Sequence, residues 1–284
     1  MRHRSARTVR VLAASLASAA VTWSVRGRLG TAAPGGNERW TRVNHRGEGI
    51  SLLEGPAVVA GLLTGAAVGC PDLATGAAAI IATAGGAGFG LVDDMAEGSW
   101  TRRKGLRGHL GALARGDLTT GGLKVVGISL SSVAAAALVT QRRAGRARWV
   151  GDVLVSGALI ATSANLVNLL DLRPGRALKA ATLVAAPLAT GSSASAGLAA
   201  AALGACAAAL PGDLTETDML GDTGANALGA LLGLAVVRRA PRPVRLVVLA
   251  GLVGLTAASE RVSFTTVIES TPGLREIDRW GRRV

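Results

Sequence analysis

Four short stretches hold most of the residues able to do chemistry. The first is GFGLVDDMAEG, Gly88–Gly98. Asp93 and Asp94 close an apolar run, and Glu97 follows one turn later. Paired carboxylates at a membrane boundary are costly without a counter-charge. A hard divalent cation supplies one. Mg²⁺ takes one or two carboxylates and completes its shell with waters and substrate phosphates. The alternative is a helix end carrying solvated acids, which the negative end of the helix dipole disfavours. Gly86, Gly88 and Gly90 hint at a dinucleotide loop, but the G-x-G-x-x-G spacing is not met and no strand precedes it.

The second stretch is the basic loop Thr101–Lys124, with Arg102, Arg103, Lys104, Arg107, His109, Arg115 and Lys124. Cations beside an acid pair suit a pyrophosphate or a lipid phosphate. They equally suit a plain loop that follows the positive-inside bias. The third is NLVNLLDLRPGR, Asn165–Arg176. Asn165, Asn168 and Asp171 fall at i, i+3 and i+6, roughly one helical face. Amides and a carboxylate there can read a nucleobase edge by paired hydrogen bonds, or the amides can bond neighbouring helices. The fourth is GDLTETDMLGDTGANALGALLG, Gly212–Gly233. Its glycines let backbone approach a ligand, and the helix start that follows favours phosphate. Asp222 is a third candidate metal carboxylate, or an ordinary N-cap.

The elements that must position these residues follow from composition. Of 284 residues, 49% are hydrophobic and only 17% charged, with 39 Gly, five Trp, two Phe and no Tyr. A soluble chain carries about 25% charge. Long Ala/Val/Leu/Gly runs are free of charge and short loops between them are crowded with Arg. This pattern predicts an all-α polytopic integral membrane bundle formed by one domain, 1–284. Spans need about 20 apolar residues. About nine are expected, at 8–25, 53–70, 75–92, 122–140, 149–170, 177–191, 194–211, 223–238 and 243–258. The basic start followed by an apolar run and Ala17–Ala20 resembles a signal peptide, but reads better as an uncleaved first span.

With the first span running inward, the inside segments are 26–52, 93–121, 171–176, 212–222 and 259–284. Of the 18 acids, all but Asp72 and Asp152 then fall at inside ends. Lys and Arg follow the same bias weakly, and the basic N-terminus, Arg142–Arg148 and Arg238–Arg245 lie on the other side. One membrane face therefore holds the chemistry. The net charge of +13 comes from Arg residues at the ends of apolar runs. Placed there they meet lipid phosphates and anionic substrates, and no nucleic-acid partner is expected. Cys70 and Cys206 form no C-x-x-C or Cys/His group and read as inert thiols.

Taken in order, the blocks resemble the polyprenyl-phosphate N-acetylhexosamine-1-phosphate transferase superfamily. Its members include phospho-N-acetylmuramoyl-pentapeptide transferase and the enzymes that load N-acetylglucosamine 1-phosphate onto a polyprenyl phosphate. The resemblance rests on Asn44-His45-Arg46-Gly47, the double Asp, the basic loop, Asn165-x-x-Asn168-x-x-Asp171 and Gly221-Asp222-Thr223-Gly224. It implies a multi-pass plasma-membrane enzyme with a cytoplasmic site. That enzyme moves a sugar 1-phosphate from a UDP-amino sugar to a polyprenyl phosphate, releases UMP and serves cell-envelope glycan synthesis. It also implies Mg²⁺, with Mn²⁺ as a substitute, and is compatible with a homodimer. By position Asp93, Asp94 and Asp222 match catalytic acids, with Asp94 and Asp222 as metal ligands. Asn165, Asn168 and Asp171 match the nucleotide block. Lys104, Lys124, Arg46 and His109 are the expected phosphate or substrate contacts.

The chain departs from the pattern in places. The usual Asp-Gly-x-Asp-Gly reads Asp171-Leu172-Arg173-Pro174-Gly175, so the second Asp is lost. The usual Ser after Gly-Asp-x-Gly is Ala225, and the third acid after the double Asp is Glu97. Ser259–Arg283 stands where the muramoyl-pentapeptide enzyme has a double-His loop. The missing double-His loop argues against muramoyl-pentapeptide as substrate, and Arg173 beside the nucleotide block points to a different nucleotide or sugar. The rival reading is a non-catalytic relative that binds a lipid-linked precursor and supports envelope assembly. An ion-coupled transporter would instead place acids near the midplane on broken helices.

Overall fold

The computed structural model describes residues 2–44, 46–96, 119–142, 145–190 and 194–283. Glu97, Lys104, His109 and His45 lie outside the described residues. The described elements are almost all helical. They are α1 (Arg2–Thr31), β1 (Thr41–Val43), β2 (Gly49–Ser51), α2 (Glu54–Gly69), α3 (Leu73–Ala96) and α4 (Thr120–Val139). There follow α5 (Arg146–Leu170), α6 (Arg176–Ala189), α7 (Ser195–Leu214), α8 (Gly221–Arg239), α9 (Arg242–Ser259), α10 (Phe264–Ser270) and α11 (Leu274–Arg279).

Each of the nine expected apolar runs forms a helix, α1 to α9. Six of them are long and apolar enough to cross a membrane: α1 over Ala6–Thr31, α3, α4, α5, α7 and α9. The other three fall below that measure of length and composition. At ~1.5 Å per residue, α2 with 16 residues and α6 with 14 fall short of a core ~30 Å thick. Pro187 also interrupts α6. Helix α8 carries Asp222, Asn226, Arg238 and Arg239, and it is enclosed by protein on nearly every side.

That enclosure makes α8 the axis of the bundle. It packs against α2, α3, α4, α5, α6 and α7. A helix buried all round is apolar or small on every face, and Ala225 to Ala235 are all buried. Close approach depends on small residues. A Cβ at Gly90 of α3 would collide with the Asp222 carbonyl, and one at Gly229 would press into Ser163 and Ala164 of α5. By contrast α9 buries no residue. It packs chiefly on α5 and leaves Val247 and Val253 exposed.

The connections sort into two ends. At one end the antiparallel β1–β2 hairpin pairs Thr41 with Ser51 and Arg42 with Ile50. Ser51 continues this pairing into the α7–α8 turn, donating to Thr217 O and accepting from Met219 N–H. Arg26 near the end of α1 pairs with Asp218 of the same turn at 2.6 Å. At the far end Asp72 meets Arg238 at 3.6 Å and Asp152 meets Arg242 at 2.8 Å. Asp72 and Asp152, which the sequence separates from the other acids, therefore lie at the opposite end from Asp218 and the hairpin.

Candidate functional site

Three helices bring their ends together around one lysine. Asp93 closes α3, Lys124 lies in the first turns of α4, and Asp222 opens α8. The start of α4 is fixed by Thr119, whose hydroxyl accepts the Gly122 N–H at 3.0 Å. One turn on, the Lys124 ammonium donates to Asp93 Oδ2 at 2.7 Å and to Asp222 Oδ2 at 2.5 Å. All three side chains are partly exposed, so a ligand can reach them.

Asp94, the neighbour of Asp93, does different work. Its Oδ1 accepts the Asp222 N–H at 2.9 Å. Its Oδ2 accepts the Thr223 N–H at 2.9 Å and the Thr223 hydroxyl at 2.6 Å. The first amides of a helix have no partner within it, and α8 has no cap of its own at Leu220. Asp94 supplies that cap from α3 and is buried in doing so. Gly221, at φ 58°, makes the left-handed turn just before it. A Cβ there would lie 2.9 Å from Leu52 Cδ2 and 3.1 Å from Asp94 Oδ1. Arg42 of the hairpin donates to the Asp94 main-chain carbonyl.

The block Asn165–Asp171 divides. Asp171 caps α5 and lies beside the α8 start, within electrostatic reach of Asp213, Asp222 and Asp94. Burial, together with those three acids, pushes its carboxyl well above the usual range. Asn168 lies one turn earlier and its carbonyl accepts the Asp171 N–H at 3.2 Å. Asn165 turns away and donates to Thr256 of α9 at 3.3 Å, which is the interhelical role. Arg46 also joins the α7–α8 turn rather than the lysine. Its Nε pairs with Glu216 at 3.2 Å, and Asn44 Nδ2 donates to the same carboxylate at 2.9 Å.

A cleft of about 180 Å³ lies between the β1–β2 hairpin, the α5–α6 loop and the α7–α8 turn. Asp171, Arg173, Asp213 and Glu216 line it, with Ile50 and Met219 on its apolar walls. Glu216 has φ 61°, a rare backbone state for a residue with a side chain. Its bonds to Asn44 and Arg46 hold it there.

Sequence reasoning missed two parts of this end of the molecule. Asp213 is one; its only signal was the density of acids between Asp213 and Asp222. The other is a strap made by the C-terminal segment. Arg176 grips Asp278 with both Nε, at 2.8 Å, and a terminal nitrogen, at 3.1 Å. The Lys179 ammonium donates to the carbonyls of Ile277, Asp278 and Trp280 at 3.1, 2.8 and 2.6 Å. Arg282 donates to Pro174 O and to Asp278, each at 2.7 Å. Burial acts to raise the Asp278 carboxyl, but the hydrogen bond and charge of Arg176, with Arg282, hold it below its ordinary range.

No protein-family model matches this chain, and no curated protein matches it significantly.

The donor set around Lys124 is hard oxygen, the chemistry that suits Mg²⁺. Among the described residues no group of three or more His, Cys, Asp or Glu is arranged to hold a metal alone. Asp93 and Asp222 would supply two carboxylates and leave the rest of a shell to phosphate oxygens and water. Asp94, expected as a ligand, already uses both oxygens on α8.

Proposed function

We propose that this protein is a phosphoglycosyl transferase that moves a sugar 1-phosphate from a UDP-amino sugar to a polyprenyl phosphate and releases UMP. The observation that supports it is the meeting of Asp93, Lys124 and Asp222, from three separate helices, at one end of an apolar bundle. Phosphoryl transfer needs positioning and charge stabilisation more than covalent chemistry. Lys124 gives a fixed cation for the phosphate that develops charge. Asp93 orients or deprotonates the lipid phosphate. Asn168 and Asp171 border the nucleotide. Mg²⁺, or Mn²⁺ in its place, held by Asp93 and Asp222 would neutralise the diphosphate. We read α2, α6 and α8 as crossing within the bundle, giving nine passes in the plasma membrane with this end in the cytoplasm. The product serves envelope glycan synthesis.

The test uses purified protein in detergent with undecaprenyl phosphate, Mg²⁺ and a panel of UDP-amino sugars. UMP release that Asp222→Ala abolishes supports the reading. No release with any sugar, together with unchanged nucleotide binding in Asp222→Ala, overturns it. The altered Asp171–Gly175 block favours one rival, a relative that binds the lipid-linked precursor without turnover. Binding of undecaprenyl phosphate with no UMP release is its signature.

A further inference from the structure

The C-terminal strap carries its apolar side chains on the outside. Among the described residues of α10 and α11, Asp278 alone is buried, and it is charged. Leu274 and Ile277 are about half exposed, and Trp280, just after α11, is 71% exposed. A helix on a soluble surface does the reverse, with its apolar stripe turned to the core. Asp278 faces inward because Arg176 and Arg282 hold it, and Thr265 of α10 accepts from Arg176 Nη1 at 3.0 Å. Polar grips therefore fasten the segment to the bundle, while α10 and α11 pack chiefly on each other.

Spacing gives α11 two flanks. Leu274, Ile277 and Trp280 follow i, i+3 and i+6 and share one of them. Glu276 and Arg279, both exposed, fall on the other. In α10 Phe264, Val267 and Ile268 follow i, i+3 and i+4, and none of the three is buried. The two ends of the strap fix its course. It starts four residues after α9, a helix long and apolar enough to span a membrane and with no buried residue. It ends on the loop after α5, another such helix, where Arg282 donates to Pro174 O. Helices α5 and α9 run in the same direction, since Arg245 and then Thr256 of α9 bond Ser156 and then Asn165 of α5. A segment tied to two neighbouring span ends at one face must run along that face.

We propose that the strap lies in the lipid interface at this end of the bundle. The flank of Leu274, Ile277 and Trp280 enters the bilayer, and the flank of Glu276 and Arg279 stays in water. The occupant of the apolar flank is thus the same lipid that surrounds α9. Trp favours this boundary, where one end of its ring system is apolar and the other wet. Arg261, exposed where the chain leaves α9, meets lipid phosphate there. The role does not depend on the transfer reaction. Through Arg176, Lys179 and Arg282 the strap holds the Asp171–Gly175 loop at a fixed height over the lipid.

The test uses the full-length protein in vesicles of phosphatidylcholine and phosphatidylglycerol. In a cysteine-free background, Leu274→Cys, Ile277→Cys, Trp280→Cys, Glu276→Cys and Arg279→Cys each carry one nitroxide label. Power-saturation EPR compares collisions with lipid-soluble oxygen and with a water-soluble nickel chelate. Labels at 274, 277 and 280 should favour oxygen and report depths of about 5–10 Å. Labels at 276 and 279 should favour nickel. Any other division of the five positions overturns the proposal. Equal access of nickel to all five would leave the strap in water. Shielding of 274, 277 and 280 from both reagents would mean that protein, such as a second copy of the chain, covers the flank. The substitutions spare the grip, because Lys179 holds Trp280 by its carbonyl and the side chains of Leu274 and Ile277 are exposed. Any one of the three apolar positions decides the matter where another variant does not fold.

Discussion

Adjacent residues 93 and 94 carry the same side chain and different duties. On a helix, neighbours point ~100° apart, so Asp93 turns to Lys124 while Asp94 turns to the start of α8. Their substitutions should separate accordingly. Asp94→Ala strips the cap from two amides and a hydroxyl and should cost about 1–3 kcal/mol of stability. Asp93→Asn should leave the melting temperature within about a degree and slow UMP release about 100-fold. Thermal unfolding and turnover of the two purified variants check this, and equal losses of stability would remove the distinction. Asp171 gives a pH prediction. Its folded carboxyl titrates well above the unfolded value because it is buried among acids. The folded state therefore binds more protons than the unfolded one, and stability falls as pH rises from the unfolded pKa towards the folded one. Asp171→Asn should raise the melting temperature at neutral pH, with the gain shrinking as pH drops towards about 4. A gain that is constant with pH would contradict the assignment.

Among the elements, the C-terminal strap governs the loop between α5 and α6. Arg176 and Asp278 are 4% and 6% exposed. Removing one partner of a buried pair leaves the other charge stranded and costs about 3–5 kcal/mol. Arg176→Leu should therefore release the strap, and limited proteolysis should cut within 260–283 faster than in the unaltered protein. Equal cleavage rates would show that the pair does not hold it. Because the Asp278 carboxyl is held low, its contribution is complete above the unfolded carboxylate pKa of about 3.9 and is lost as pH falls through the folded value. The strap should stay closed through the mildly acidic range. None of this was legible from sequence. Arg176, Lys179, Asp278 and Arg282 lie about 100 residues apart in two groups and follow no spacing rule, so only the folded chain pairs them.

For the whole molecule, the separation of acids predicts a topology. In a cysteine-free background, Glu48→Cys and Arg283→Cys should label from one side of sealed vesicles and Asp152→Cys from the other. Labelling of all three from one side would contradict the bundle. The residue sequence by itself determined the class, the helices α1 to α9 and the grouping of acids at one end. Those properties are local or additive: apolar run length, loop charge and the alternation of chain direction. The tertiary structure alone decided which groups meet. It joined Asp93 to Asp222 through Lys124, gave Asp94 to the start of α8, sent Asn165 to α9 and brought Asp213 beside Asp171. Each of those choices depends on rotation about a helix axis and on contacts across much of the chain. Sequence spacing constrains the first only to a face, and the second not at all.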